Sequence, residues 1–257
     1  MIRAFAIVLL MCVSCAPKGP APWRQKHKVE FFVENQAKRT ALFTELVGRG
    51  AIEFKWTDDK GTHNEQGELD FWKQGDAISM RVSKLGELLA WFGGEGKDFW
   101  FFDMMSDEPT LTVGGQQGMF NDIEVALVLL GLVPVPKLEA SVNNEVFNSI
   151  DAQGRKWSAT YEFEKHRPLH IAMKEGDHEA EAKHWTGILV EIDNKHELYW
   201  PETGGNIDLT DNQGNTKIKI AFSFLSTIVV DEPMDRVFDL EYLKGALKPQ
   251  HVLQGKQ

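Results

Sequence analysis

Ala51-Ile52-Glu53-Phe54-Lys55-Trp56 decides the fold class. Ile52, Phe54 and Trp56 alternate with Glu53 and Lys55, the period-two pattern of a half-buried strand. The stretch upstream reads differently. Val29, Phe32, Val33, Ala37 and Ala41 recur at three- and four-residue steps, which predicts a helix over Lys28–Val47. Gly48 and Gly50 end it. Downstream, Glu68–Trp72, Ala77–Val82, Leu88–Phe92 and Phe99–Met104 read as further strands. Gln74-Gly75, Leu85-Gly86 and Gly93-Gly94-Glu95-Gly96 separate them. Connections this short make hairpins, so the strands form an antiparallel meander.

Asn121-Asp122-Ile123-Glu124 signals a second helix, with Asn at the cap and Glu three residues on. Ile123 to Leu130 is apolar on almost every face; Gly131, Pro134 and Pro136 stop it. Strands resume at Glu145–Ile150, Trp157–Glu164, Leu169–Lys174, Glu181–Ile192, Gly205–Leu209 and Thr216–Phe224. Asp58-Asp59-Lys60-Gly61, Asp151-Ala152-Gln153-Gly154 and Asp211-Asn212-Gln213-Gly214 read as similar hairpin loops with Gly at positive φ. Asp239–Leu247 reads as a last short helix. The expectation is an α+β chain with ten or eleven strands, and a single domain over 28–257.

The chain has 257 residues and a net charge of −10. An acidic chain with no basic run lacks the positive footprint that nucleic-acid binding needs. It carries 8 Trp and 16 Phe against 3 Tyr, an aromatic excess that needs a purpose. Its first residues read as an address. Arg3 precedes the apolar run Ala4–Met11, and small residues follow, as in a secretory signal peptide. Val13-Ser14-Cys15 resembles a bacterial lipobox, with Cys12 where Leu is usual. The expectation is a signal peptide over 1–14, a lipidated Cys15, and a Pro-rich tether over 15–27. The alternative is an ordinary signal peptide that contains cysteines.

No catalytic constellation stands out. His166 and His170 are four apart with Pro168 between them, and His178 and His184 flank acidic residues. No zinc-ligand spacing and no H-E-x-x-H occurs, so no metal is expected. The glycine-rich Gly93–Gly96 lacks the Lys-Ser/Thr of a phosphate loop. No cofactor and no catalytic residue is assigned. Carboxylates are abundant enough to keep a secreted glycan hydrolase as an alternative.

What remains is an apolar face. Ile52, Phe54, Trp56, Leu69, Phe71, Ile78, Met80, Val82, Leu89, Trp91, Phe99 and Phe101 line one side of successive strands. They form either the core face of a sheet or the wall of an acyl-chain cavity. In the second reading Ile123, Leu127 and Leu130 belong to its lid. Trp72, Trp100 and Phe102 fall on the opposite phase and have no assigned purpose.

Gly48-Arg49-Gly50-Ala51-Ile52-Glu53-Phe54-Lys55-Trp56 after an N-terminal helix resembles the first strand of the LolA/LolB-like lipoprotein-sorting superfamily. Gly67-Glu68-Leu69-Asp70-Phe71-Trp72 and the hairpin from Leu89-Ala90-Trp91-Phe92-Gly93 to Phe99-Trp100-Phe101-Phe102-Asp103 are similar to its LolB-like members. The helix from Asn121 to Pro134, set among strands, also fits; the resemblance runs from about Val29 to Leu247. It implies an open antiparallel half β-barrel with helices capping a concave apolar face that holds acyl chains. It implies an outer-membrane lipoprotein facing the periplasm, a non-enzymatic role in lipoprotein or lipid transfer, and a soluble periplasmic carrier as partner. A sensor or interaction lipoprotein of the same fold, without transfer, is the alternative. LolB-like proteins also use a protruding apolar loop for membrane insertion. The turn Thr57-Asp58-Asp59-Lys60-Gly61-Thr62-His63 is polar and offers no counterpart.

Overall fold

The computed structural model describes residues 22–41, 44–58, 61–96, 98–105, 107–114, 123–143, 145–162, 167–184, 188–192, 196–200, 204–210, 216–229 and 235–254. The signal peptide, the lipobox with Cys15, the Asn121-Asp122 cap, His166 and the Asp211–Gly214 turn lie outside the described residues.

The chain opens with helix α1 (Pro22–Thr40). An antiparallel meander follows: β1 (Glu45–Asp58), β2 (Gly61–Gln74), β3 (Ala77–Lys84), β4 (Glu87–Glu95), β5 (Asp98–Asp103) and β6 (Thr110–Val113). Helix α2 (Ile123–Leu129) separates it from a second meander: β7 (Leu138–Asn143), β8 (Val146–Ile150), β9 (Lys156–Glu162), β10 (Arg167–Glu175) and β11 (His178–His184). Then come β12 (Ile188–Ile192), β13 (His196–Trp200), β14 (Gly204–Thr210), β15 (Thr216–Val229), α3 (Asp235–Phe238), α4 (Leu240–Leu247) and β16 (His251–Gln254). β12 and β13 make a ribbon of their own.

The other strands form one 14-stranded sheet in the order β16-β6-β5-β4-β3-β2-β1-β15-β14-β11-β10-β9-β8-β7. β15 joins the two meanders, pairing β1 on one side and β14 on the other. Every pairing is antiparallel except β16 on β6. The end strands do not pair with each other, so the sheet stays open. The antiparallel meanders are what the hairpin spacing implied and the unclosed sheet is what the family resemblance implied, with more strands than the expected ten or eleven. β6 and β7 alternate but are only four and six residues long, β13 and β16 carry no alternation, and Glu181–Ile192 divides between β11 and β12.

The first helix also differs from expectation. It ends at Thr40, whose hydroxyl donates to the Gln36 carbonyl at 2.9 Å, and Leu46 and Val47 belong to β1. Leu46 pairs with Lys73 of β2 and Val229 of β15 and is 1 % exposed. Burial between two strands outweighs the helical periodicity that runs from Val29 to Ala41, because periodicity is a weak prior against tertiary pairing.

The sheet is apolar on both faces. On one, Ile52, Leu69, Phe71, Ile78, Met80 and Val82 form a cluster with Phe32 of α1 and most of α2. That cluster continues across β8–β11, where Phe32 stacks on Phe147 at 4.2 Å and meets Tyr161 edge-on at 4.3 Å. On the other face, Trp100, Phe102 and Leu111 pack under Leu243 of α4. Asp239 caps α4 by accepting from the Tyr242 amide at 2.9 Å.

Candidate apolar binding face

Strand register places the expected face residues together. Ile52, Leu69, Phe71, Ile78, Met80 and Val82 are buried in the helix-bearing cluster, and Phe54, Leu89, Phe99 and Phe101 pack half-buried against it. Ile123 and Leu127 of α2, with Leu130 just beyond, are buried in the same cluster. Trp56 lies further along β1, stacked on His63 at 4.9 Å.

Trp91 is the exception. It packs half-buried in the other cluster, with Trp100, Phe102 and Leu111. The cause is a register shift between Val82 and Ser83: Ala90 pairs with Val82 and Leu88 with Ser83, leaving Leu89 unpaired. This β-bulge lets Leu89 and Ala90 both reach the helix-bearing face and sends Trp91 to the opposite one. A bulge gives no sequence signal, so simple alternation assigned Trp91 wrongly.

The opposite face accounts for Trp72, Trp100 and Phe102. Trp72 stacks on Trp91 at 6.1 Å, and the Arg81 guanidinium lies 5.6 Å from each ring. Arg81 Nε donates to Asp70 at 3.0 Å, and Trp91 Nε1 donates to the Ser79 hydroxyl at 2.8 Å. Trp100 needs Gly93 opposite it: a Cβ there would run into the Trp100 ring and the Ile78 carbonyl.

α2 is the element that sits in the helix-bearing face. Ile123, Val125, Leu127, Val128 and Leu129 are buried, and Glu124 is exposed. It ends in a Schellman motif: the Leu132 amide donates to Leu127 O at 2.9 Å, the Gly131 amide to Val128 O at 2.9 Å, and Gly131 has φ 69. Leu132 and Val135 are buried after it. Seven helical residues and their exit thus present hydrocarbon in nearly every direction. They bridge the two meanders, touching β4 and β10.

Polar groups near this face are few. The Ser149 hydroxyl is buried and finds no partner among the described residues. At the β8–β9 turn, Asp151 accepts from the amides of Gln153 and Arg155 at 3.0 and 2.9 Å and from Trp157 Nε1 at 3.0 Å. It also pairs with the Arg155 guanidinium, both side chains 5 % exposed. Burial alone would raise the Asp151 pKa; bonds from Trp157 and Arg155, and the Arg155 charge, outweigh it and hold the carboxylate below its usual value. No group of three His, Cys, Asp or Glu side chains converges on a metal position among the described residues. Among the same residues, no helix is long and apolar enough to cross a membrane.

One apolar side chain faces water without support. Leu85, at the tip of the β3–β4 hairpin, is 96 % exposed. Leu85 and Gly86 have φ 53 and 85, the two positive angles of a type I′ turn. Asn or Gly fills the first position comfortably; Leu does so at a cost of about 1–2 kcal/mol.

No protein-family model matches the chain, and no curated protein matches it. Solved structures do. A LolA superfamily protein, NE2245 from Nitrosomonas europaea, superposes with a TM-score of 0.51 at 12% identity, covering 84% of this chain and 99% of that one. A putative outer membrane lipoprotein-sorting protein domain from Vibrio parahaemolyticus gives 0.50 at 11% identity, covering 86% and 99%. A DUF1329 family protein from Desulfovibrio piger gives 0.51 at 6% identity, covering 84% and 98%. The chain shares its fold with these solved structures, a LolA superfamily protein among them. At these identities the likeness speaks for the fold alone.

Proposed function

We propose that this chain is a lipid-anchored envelope protein that binds acyl chains on the helix-bearing face and takes part in lipoprotein or lipid transfer to the outer membrane. The observation that carries the reading is α2. A sheet face packed for its own stability is ordinarily covered by amphipathic helices. Here the cover includes, beside α1, a short helix that is hydrocarbon almost all round. Acyl chains offer the same face equivalent contacts, at about 0.8 kcal/mol per buried CH₂, so helix and ligand can exchange places. Two structural neighbours, a LolA superfamily protein and a putative outer membrane lipoprotein-sorting domain, support this reading. In this reading the lipobox-like Val13-Ser14-Cys15 carries the anchor at Cys15, and a soluble periplasmic carrier is the donor such an acceptor needs. Nothing in the scheme requires catalysis.

Leu85 supplies the membrane contact that the polar turn after β1 does not. An exposed Leu held in an unfavourable backbone conformation is explained if its side chain enters a bilayer. A second reading keeps the fold without transfer, as a sensor or interaction lipoprotein. The burial of five of the seven α2 side chains favours it, since a filled face needs no ligand.

Displacement of a neutral fluorescent probe such as Nile red from the full-length chain separates the two. Binding of the probe and its displacement by methyl palmitate at micromolar concentration are expected. A chain that binds neither, and carries no lipid in native mass spectrometry, overturns acyl-chain binding in favour of the second reading.

A further inference from the structure

Lys73 is 4 % exposed, among the most buried charged side chains described. On β2 it stands opposite Leu46 of β1 and Ile78 of β3, each 1 % exposed. Cross-strand partners share a face, so Lys73 lies on the helix-bearing face, in line with Leu69 and Phe71. Lysine is almost never buried without a charge partner. Asp151 and Arg155 show the usual solution, a buried pair with its hydrogen bonds made. Lys73 differs: among the described residues its ammonium donates to the Gly75 carbonyl, and an ammonium has three hydrogens to give. The Gly75 carbonyl belongs to the β2–β3 turn, so the charge sits at one end of the sheet. α2 begins at that same end, its Ile123 amide bonded to Gly96 of the β4–β5 turn at 3.2 Å.

We propose that Lys73 is the headgroup position of the acyl-chain site: its ammonium binds the oxyanion of an anionic acyl lipid, a fatty-acid carboxylate or a lysophosphatidate phosphate, whose hydrocarbon runs along Phe71 and Leu69. This rests on the acyl-binding reading above and narrows its ligand class. Burial pushes the Lys73 pKa below its ordinary value, against the opposing charge of Asp76. An oxyanion beside it adds a directly hydrogen-bonded charge to the attraction of Asp76, and charge-assisted hydrogen bonds are the strong ones.

The test uses the full-length chain and the Nile red displacement assay with three competitors of equal acyl length: palmitate, 1-palmitoyl lysophosphatidate and methyl palmitate. At least one anion is expected to compete roughly tenfold better than the ester, the worth of one hydrogen bond to a charged group. Which anion does so identifies the source of the oxyanion. In Lys73→Met the preference falls to about twofold or less while methyl palmitate competes as before. Replacing this buried ammonium by a hydrocarbon chain of similar length does not endanger folding, and Lys73→Arg, which keeps the charge, is expected to retain a preference for anions. Equal competition by all three ligands in the wild type, or a preference that survives Lys73→Met, overturns the headgroup assignment and leaves acyl-chain binding standing. Failure of methyl palmitate itself overturns acyl-chain binding.

Discussion

Asp151 shows how much of one residue's role can be read before its partners are known. The Asp151-Ala152-Gln153-Gly154 pattern announces a turn, and Gly154 has φ 82 as that reading requires. The partners were not legible. Trp157 and Arg155 reach Asp151 only because β8 and β9 pair with Ser149 opposite Trp157. Breaking this buried pair from one side leaves the Arg155 charge uncompensated. Asp151→Ala is therefore expected to lower stability by ~3–5 kcal/mol in urea unfolding at neutral pH. The pH dependence has a definite sign. The folded-state pKa of Asp151 lies below its ordinary value of 3.8, so its contribution is complete above that value and is lost as the pH falls through the folded pKa. The gap in stability between wild type and Asp151→Asn must narrow below about pH 4. A gap that is constant from neutral to acid pH contradicts the ionised pair.

At the scale of elements, alternation within a strand was the legible part. It put Ile52, Phe54, Leu69, Phe71, Ile78, Met80 and Val82 on one face, and the register agrees. It failed where strands stop being regular. The bulge at Leu89 moves Trp91 to the face under α4, and α4 itself gives Trp100 and Phe102 their cover. The two faces make separable predictions. Phe54→Asp puts a carboxylate on the helix-bearing face at a half-buried position and is expected to weaken methyl palmitate competition at least tenfold. Trp91→Asp is expected to leave that competition unchanged while lowering the melting temperature. It loses the Trp72 stack and the Arg81 contact, together worth ~1–3 kcal/mol. Phe54→Ala serves if the aspartate variant does not fold. A folded Trp91→Asp variant that no longer binds reverses the assignment of faces.

For the whole molecule, the union of two meanders through β15 was beyond reach of the sequence, because pairing β1 with β15 joins segments far apart in the chain. That union gives the sheet two distinct ends. The β2–β3 and β4–β5 turns lie at one end, with Lys73. The β3–β4 tip with Leu85 lies at the other. A lipid held by its headgroup at Lys73 then has its hydrocarbon directed along the strands toward the Leu85 end, the end assigned to the membrane. Function and stability oppose each other at Leu85. A residue retained for folding loses stability when replaced; Leu85 stands alone in water at positive φ, so Leu85→Gly is expected to raise stability by about 0.5–1 kcal/mol. In chains carrying Cys15→Ser, and so no lipid anchor, the same substitution is expected to reduce flotation with phosphatidylethanolamine–phosphatidylglycerol vesicles several-fold, as is Leu85→Glu, while Nile red displacement by methyl palmitate stays unchanged. Lys73→Met is expected to do the reverse, altering anion preference and leaving flotation alone. If Leu85→Gly is stabilised yet floats as well as the wild type, the tip has no membrane role. If it loses both stability and flotation, Leu85 belongs to the fold and the assignment of the membrane end falls with it.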